Sequence, residues 1–419
     1  MIRASISATV IRSGMPAQPP AAVVVYASTM PAKVDNNSRS CYECGNGNRF
    51  PSYWRGETIM SDLKGRLLHA RIRAEQLHAY LREAMRVCGM RLDDAQVTAD
   101  VLVTTDTWGV YTHGSKQLRP LLALRSDRMS VTATPEVIAE GPAWAMVDGH
   151  SAMAMVSSCM AMEKAVEKAR TAGIGYVGVR NSNHFGGAGY YATMALPHDM
   201  IGLAMTNTNP LMIAPGGKTA VLGTNPFSYA VPAGREKPVF LDIATSVVAG
   251  SKPISARAQG KDIPLGWLVD KDGVPTTDPS HYPEEGALLP MAGHKGFGLA
   301  LMIEFLSAAL TGADVLSDVK LWLEDHPGPL NQGHAFIAIN IGSFIPIQGF
   351  KDRVDRICRE IRESPKAKGS ERIYLPGEME WDNRERALAE GMLLPEHVVD
   401  RLIGLAEDVG LDIESLLQP

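Results

Sequence analysis

The chain reads as an α/β protein, mainly helical over residues 61–145 and 345–419, with an α/β part at 146–344 between them. Three observations carry this reading. Apolar residues recur at helical spacing near both ends of the folded sequence. Short apolar and β-branched runs in the middle are bounded by Gly, Pro, Asn and Asp. Finally, Gly173-Ile174-Gly175-Tyr176-Val177-Gly178 spells the dinucleotide pattern G-x-G-x-x-G, but after a helix and into a strand. The pattern works only where a strand precedes it and a helix follows, so that the helix N-terminus meets the pyrophosphate. A Rossmann fold is therefore not expected.

Residues 1–60 stand apart, rich in Pro, Ala, Ser and Arg, with Asp35 the first acidic residue. Such a segment fits a targeting peptide, a disordered tail or an upstream start with Met60 as the true beginning, the last two being preferred. Cys41 and Cys44 lie in it without a second Cys/His pair at metal spacing, so no zinc site is expected there.

Folded sequence is expected from about Lys64. Ile72, Leu77, Leu81, Met85 and Cys88 recur at helical spacing as far as Gly89. Asp93 and Asp94 are expected to cap a second helix carrying Val97, Val101, Leu102 and Thr105, with Gly109 as its stop. Residues 132–147 read as extended. Residues 151–172 read as a Met- and Ala-rich helix that buries Met153, Val156, Met160, Val166 and Ala169 and ends at Gly173. The strand Tyr176–Val179 leads into the loop Arg180–Tyr191, after which Ala192–Leu196 reads as helix. Strands are expected at 201–206, 222–232 and 239–246, a loop at 252–278, and an apolar helix up to Leu310 after the turn 288–298. A strand at 334–344, helices at 350–362 and 395–405, and a turn at 374–378 complete the chain. Cys88 and Cys358 fall on helices and read as packing.

Composition excludes several classes. A net charge of −5, with no long basic run, gives nucleic acid no footprint. No apolar run approaches the roughly 20 residues of a membrane span. Five scattered cysteines do not form a disulfide framework. A soluble, cytoplasmic protein without membrane or nucleic-acid partners is expected.

The chemistry gathers around Arg180-Asn181-Ser182-Asn183-His184-Phe185-Gly186-Gly187-Ala188-Gly189-Tyr190-Tyr191, a histidine among two asparagines and three glycines. Small residues let backbone approach a ligand, and polar ones orient it. Three strands begin or end in Asn, Thr, Asp or Ser beside Gly or Pro, which suggests polar ends converging on one site. Lys295 sits in a Gly-rich turn before a helix, where phosphate or carboxylate can bind, although the order is not that of a P-loop. There is no G-x-S-x-G elbow and no H-x-H or H-x-x-x-H pair. His113, His184, Asp242 and Lys295, lined by Asn and Thr, suit proton transfer coupled to a bound organic cofactor.

Those residues, in that order, resemble the type-2 malate/L-lactate dehydrogenase family from about Arg71 to the C-terminus. The resemblance is carried by Thr112-His113-Gly114, Ser182-Asn183-His184-Phe185-Gly186 with Ala188-Gly189-Tyr190, and Gly223-Thr224-Asn225-Pro226. Asp242-Ile243-Ala244-Thr245-Ser246, Pro275-Thr276-Thr277-Asp278-Pro279, Leu288-Leu289-Pro290 and Lys295-Gly296 extend it. It implies a non-Rossmann, mixed-sheet fold that binds NAD or NADP, a homodimer, and interconversion of a small 2-hydroxy acid and its 2-oxo acid. In some branches the reaction is reduction of a cyclic imino acid, and a catalytically silent ligand-binding relative is a further alternative.

By the same resemblance His113 is the proton donor, ranked ahead of His184, a second active-site histidine. Asp242 is catalytic, and close to a histidine it would favour the imidazolium. Thr208 contacts substrate. Asp242, Ile243, Ala244, Thr245, Lys295 and Gly333 lie along the cofactor. One position departs from the pattern: where members often carry a carboxylate-gripping arginine, four residues after the first histidine, this chain has Gln117, and Arg119 is expected to point elsewhere.

Overall fold

A computed structural model describes residues 57–123, 128–322 and 328–418. The expectations for Cys41, Cys44 and the first 56 residues lie outside the described residues. Eleven helices are used below: α1 (Glu57–His69), α2 (Ala74–Val87), α3 (Leu92–Thr107), α4 (Leu118–Ala123), α5 (Ala154–Ala172) and α6 (Ala188–Thr193), then α7 (Ser251–Ala258), α8 (His294–Glu304), α9 (Ile347–Arg362), α10 (Glu378–Glu390) and α11 (Glu396–Val409). The strands are β1 (Arg71–Ile72), β2 (Glu136–Gly141), β3 (Trp144–Asp148), β4 (Ile174–Ser182), β5 (Met200–Thr206), β6 (Met212–Ile213) and β7 (Ala220–Leu222). They continue as β8 (Phe227–Val231), β9 (Val239–Ile243), β10 (Leu268–Val269), β11 (Pro275–Thr276), β12 (Ala287–Leu288), β13 (Gln332–Asn340) and β14 (Met392–Leu393).

The central sheet has seven strands in the order β2-β3-β4-β13-β5-β8-β9. Only β3 and β4 run parallel; every other pair is antiparallel. A parallel, doubly wound sheet is thus excluded, as the misplaced glycine pattern suggested. Gly173 ends α5 at φ 83°, and Gly175 already lies on β4, where a Cβ would stand 2.1 Å from the Ala165 carbonyl of α5. These glycines let a helix lie close against a sheet. A second, five-stranded sheet, β11-β10-β12-β6-β7, has its own core of Met212, Leu222, Leu268, Tyr282 and Leu288. The two-stranded pair β1–β14 ties the N-terminal helices to the C-terminal ones.

Several expected elements shift. Ile72 is buried on β1 rather than on α2, and α3 starts at Leu92 after Arg91, leaving Asp93 and Asp94 in its first turn. On α5 the buried methionines are Met155 and Met162, whereas Val156 and Met160 are half-buried. The stretch 222–232 breaks into β7 and β8 around Pro226. The loop expected at 252–278 contains α7 and β10, and α10 follows the turn at 374–378. Both helices escape a periodicity reading because each buries very little: Pro253 in α7, Glu378 and Ala387 in α10. α10 is held by polar contacts instead, with Trp381 Nε1 donating to the Pro238 carbonyl and Arg384 to Thr107 Oγ1. Cys159 and Cys358 are buried on helices, consistent with packing.

Candidate active site

His184 lies where β4 gives way to α6. The strand continues past Val179 to Ser182 because β13 keeps pairing with it, Gln332 opposite Ser182, with an irregularity between Gln332 and His334. Such irregularities in a ladder re-aim side chains. Beyond Ser182, buried Asn183 donates from Nδ2 to the Ala152 carbonyl at 2.8 Å, and Phe185 is fully packed. Gly186 takes φ 80°, and Gly189 enters α6 with its N–H donated to Asp242 Oδ2 of β9 at 2.7 Å. Asp242 therefore satisfies one of the free N–H groups at the start of α6.

His113 is delivered by the end of α3. Asp106, buried in the last turn, accepts the Ser115 N–H on Oδ2 at 2.9 Å and folds the segment 112–115 back over the helix end. Position 114 must be glycine, since a Cβ there would stand 1.8 Å from Asp106 Oδ1. The turn brings the His113 and His184 rings to a centroid distance of 5.7 Å. Trp322 stacks on His184 at 4.8 Å with planes 3° apart.

Burial governs the charge state of the pair. It pushes His113 down to about 4, assisted by the Lys116 ammonium, and His184 down to about 3, assisted by His113 and His334. Both rings are neutral near pH 7. Nε2 of His184 is buried without a hydrogen-bond partner. A buried polar atom left unpaired is costly unless a ligand or water completes it.

Asp242 has an exposed surface, yet desolvation of its carboxyl pushes it up to about 6, against the pull of the Gly189 N–H. No histidine is among its hydrogen-bond or ion-pair partners among the described residues. Asp242 instead holds the start of α6 through the Gly189 N–H, and the histidines are neutral.

A polar ladder connects the remaining residues. The Thr208 N–H donates to Asn225 Oδ1 at 3.0 Å, and Asn225 Nδ2 donates to buried Glu304 Oε2 at 2.8 Å. Thr245, buried just beyond Ile243 and Ala244, gives both its N–H (2.9 Å) and its hydroxyl (2.8 Å) to the Thr224 carbonyl. Its carbonyl accepts from Met291 N–H, whose own carbonyl accepts from Gly296 N–H, and exposed Lys295 stands in the first turn of α8. Gly333 is buried where a Cβ would stand 1.9 Å from the Ser307 carbonyl, so close packing already requires it to be glycine. Gln117 is turned back, its Nε2 donating to the Thr112 carbonyl at 2.5 Å. Arg119 pairs with Asp408 at 2.7 Å, away from the histidines as expected.

Three residues of this site were not singled out by the sequence reading: Asp106, Trp322 and His334. A lone histidine inside an apolar strand reads as core, and nothing local marks a tryptophan that stacks across the fold. Asp106 carried a faint signal, an acidic residue in an apolar helix end eight positions before an obligatory glycine.

Comparison with known proteins identifies the family. A family model for malate/L-lactate dehydrogenase matches residues 72–403. Malate dehydrogenase of Pyrococcus horikoshii is 37% identical over 352 residues, covering 82% of this chain and 97% of that enzyme. The Delta(1)-pyrroline-2-carboxylate/Delta(1)-piperideine-2-carboxylate reductase of Pseudomonas putida is 33% identical over 344 residues, covering 81% and 97%. The solved sulfolactate dehydrogenase of Methanocaldococcus jannaschii superposes with a TM-score of 0.76 at 38% identity, covering 83% of this chain and all of that one. With the histidine pair, the capped α6 loop and the mixed sheet in place, the chain belongs to the malate/L-lactate dehydrogenase family of oxidoreductases.

Proposed function

We propose that the protein interconverts a small 2-hydroxy acid and its 2-oxo acid with NAD or NADP, the His113–His184 pair handling the proton. The observation that carries this reading is the unpartnered, buried Nε2 of His184 beside a second neutral histidine. The residues present also fit a nicotinamide dinucleotide. Lys295 and the N-terminus of α8 suit a phosphate. Leu289, Pro290 and Gly293, next to Met291, line a cavity of about 620 Å³ together with Lys218, enough for part of a dinucleotide. When bound, the nicotinamide supplies or accepts the hydride.

The chain's own residues then have distinct tasks. In the reducing direction the histidine pair gives a proton to the substrate oxygen; in the oxidising direction it removes one. The neutral state of both rings suits the oxidising direction. An entering carboxylate brings the negative charge that favours an imidazolium for reduction. Gln117 and Arg119 are both engaged elsewhere, so the carboxylate is assigned to Lys116. That lysine is half-buried, close enough to His113 to oppose its protonation, and makes no ion pair among the described residues. The Thr208 loop, fixed through Asn225, borders the substrate.

Reduction of a cyclic imino acid is the second reading. It is favoured by the retracted Gln117 side chain and by similarity to the Pseudomonas putida reductase. A homodimer and a cytoplasmic location belong to the same proposal. The dimer is supported by large apolar side chains left exposed at Met302, Phe305 and Leu310 along α8 and its continuation; sedimentation tests it. No helix among the described residues is long and apolar enough to cross a membrane. The test of the reaction is NADH and NADPH absorbance with a panel of 2-oxo acids and cyclic imines, beside calorimetric titration of each cofactor. Turnover of a 2-oxo acid supports the first reading, and strong preference for an imine supports the second. No oxidation and no cofactor binding would overturn both.

A further inference from the structure

The His184 ring makes no hydrogen bond of its own among the described residues; Trp322 stacking sets its plane, and the position of the ring then depends on how its backbone is held. An active-site histidine is ordinarily fixed by a partner on its second nitrogen. Here the two residues flanking the Asn183–His184 step are both held by one buried side chain, His334 of β13. Its Nε2 lies 2.8 Å from Ser182 Oγ, and its Nδ1 lies 2.7 Å from Thr206 Oγ1. Its ring stacks on Phe185 with centroids 4.6 Å apart and planes 9° apart. Tyr191 adds a hydroxyl hydrogen bond to the Phe185 carbonyl. The loop carrying His184 is thus clamped before and after the histidine by the same imidazole.

We infer that His334 is a positioning residue for the reaction, holding the His184 ring in place through Ser182 on one side and Phe185 on the other. The inference rests on the reading of His184 as part of the reaction centre. His334 is fully buried, faces two hydroxyls, the backbone of Asn183 and Gly333 and an aromatic ring, and has no carboxylate partner among the described residues. Burial accordingly holds its ring neutral, down to about 3. The titratable groups bearing on His184 are His113, from the turn after α3, and His334, from β13; Lys116 acts one step further away, on His113. Stacking with Phe185 and hydrogen bonding to Ser182 are separable, so the two grips can be loosened one at a time.

His334→Phe keeps an aromatic ring against Phe185 and removes the hydrogen bonds of the imidazole; Ser182→Ala removes one grip and leaves His334 in place. With protein labelled with nitrogen-15 at histidine, the His184 nitrogens, assigned by their loss in His184→Ala, should titrate higher in either variant. The midpoint should move toward the ordinary value of about 6.5 as water enters the loosened loop. In turnover, kcat should fall on the order of tenfold while KM for the cofactor is unchanged, as expected for a misplaced reacting group. An unchanged His184 titration in a folded variant would overturn the inference. If His334→Phe does not accumulate folded, Ser182→Ala is read in the same way. The nitrogen signals need no turnover, so failure of the oxidoreductase reading would leave kcat silent while the His184 titration still decides the inference.

Discussion

Replacing Asp106 by Asn isolates the electrostatic cost of the turn that delivers His113. Asp106 is 1% exposed, its Oδ1 has no partner, and burial pushes its carboxyl from 3.8 up to about 7. The folded protein therefore holds this proton more tightly than the unfolded chain between pH 3.8 and about 7. Stability from this group is fully present below the unfolded value, falls as pH rises through that window, and is flat above it. A rise of about three pKa units corresponds to roughly 4 kcal/mol at most. Asn keeps an oxygen to accept the Ser115 N–H and carries no charge to bury. Urea unfolding followed by circular dichroism, from about pH 4 to about pH 8, should show the variant gaining on the parent as pH rises. By neutral pH the variant should be the more stable, by up to about 4 kcal/mol. Parallel profiles, or an equal loss at every pH, would refute the reasoning.

The three histidines act in the opposite sense. His113, His184 and His334 are held neutral to about 4, 3 and 3, so below about 6.5 the unfolded chain takes up protons that the folded one refuses. Stability should fall as pH drops from about 6.5 toward about 4, with a shallower slope in His334→Phe, measured by the same unfolding series. His113→Ala and His184→Ala should each lower kcat about 10²-fold or more, read by steady-state kinetics, if the pair moves the proton. Gly333→Ala must accommodate a Cβ 1.9 Å from the Ser307 carbonyl. It should lose about 1–3 kcal/mol or more in thermal unfolding; a change confined to cofactor KM would instead place this glycine at the cofactor.

What the sequence made legible were local devices. Helix stops at Gly173 and Gly109, the strand at 201–206 and the reversed order around Gly173–Gly178 all follow from short-range rules, and the last ruled out the Rossmann arrangement before any contact was known. The Arg180–Tyr191 loop and His113 could be marked as chemical because their residue types make poor core. What stayed hidden depends on partners distant in sequence. α10 forms because Trp381, Asn383 and Arg384 find β9 and α3 neighbours, not because it has an apolar stripe. Nothing local marks the partner of Asp242, which is the Gly189 N–H across the β9–α6 contact. Trp322 meets His184, and His334 meets Ser182 and Phe185, across more than a hundred residues of intervening chain.

The central claim is that proton transfer at the His113–His184 pair accompanies hydride exchange with a nicotinamide cofactor. The most direct test compares parent and His184→Ala protein in oxidation of NADH and NADPH by 2-oxo acids, with cofactor affinity measured separately. The account predicts turnover in the parent, a loss of about 10²-fold or more in the variant, and unchanged cofactor affinity. Equal turnover in the two proteins would contradict it.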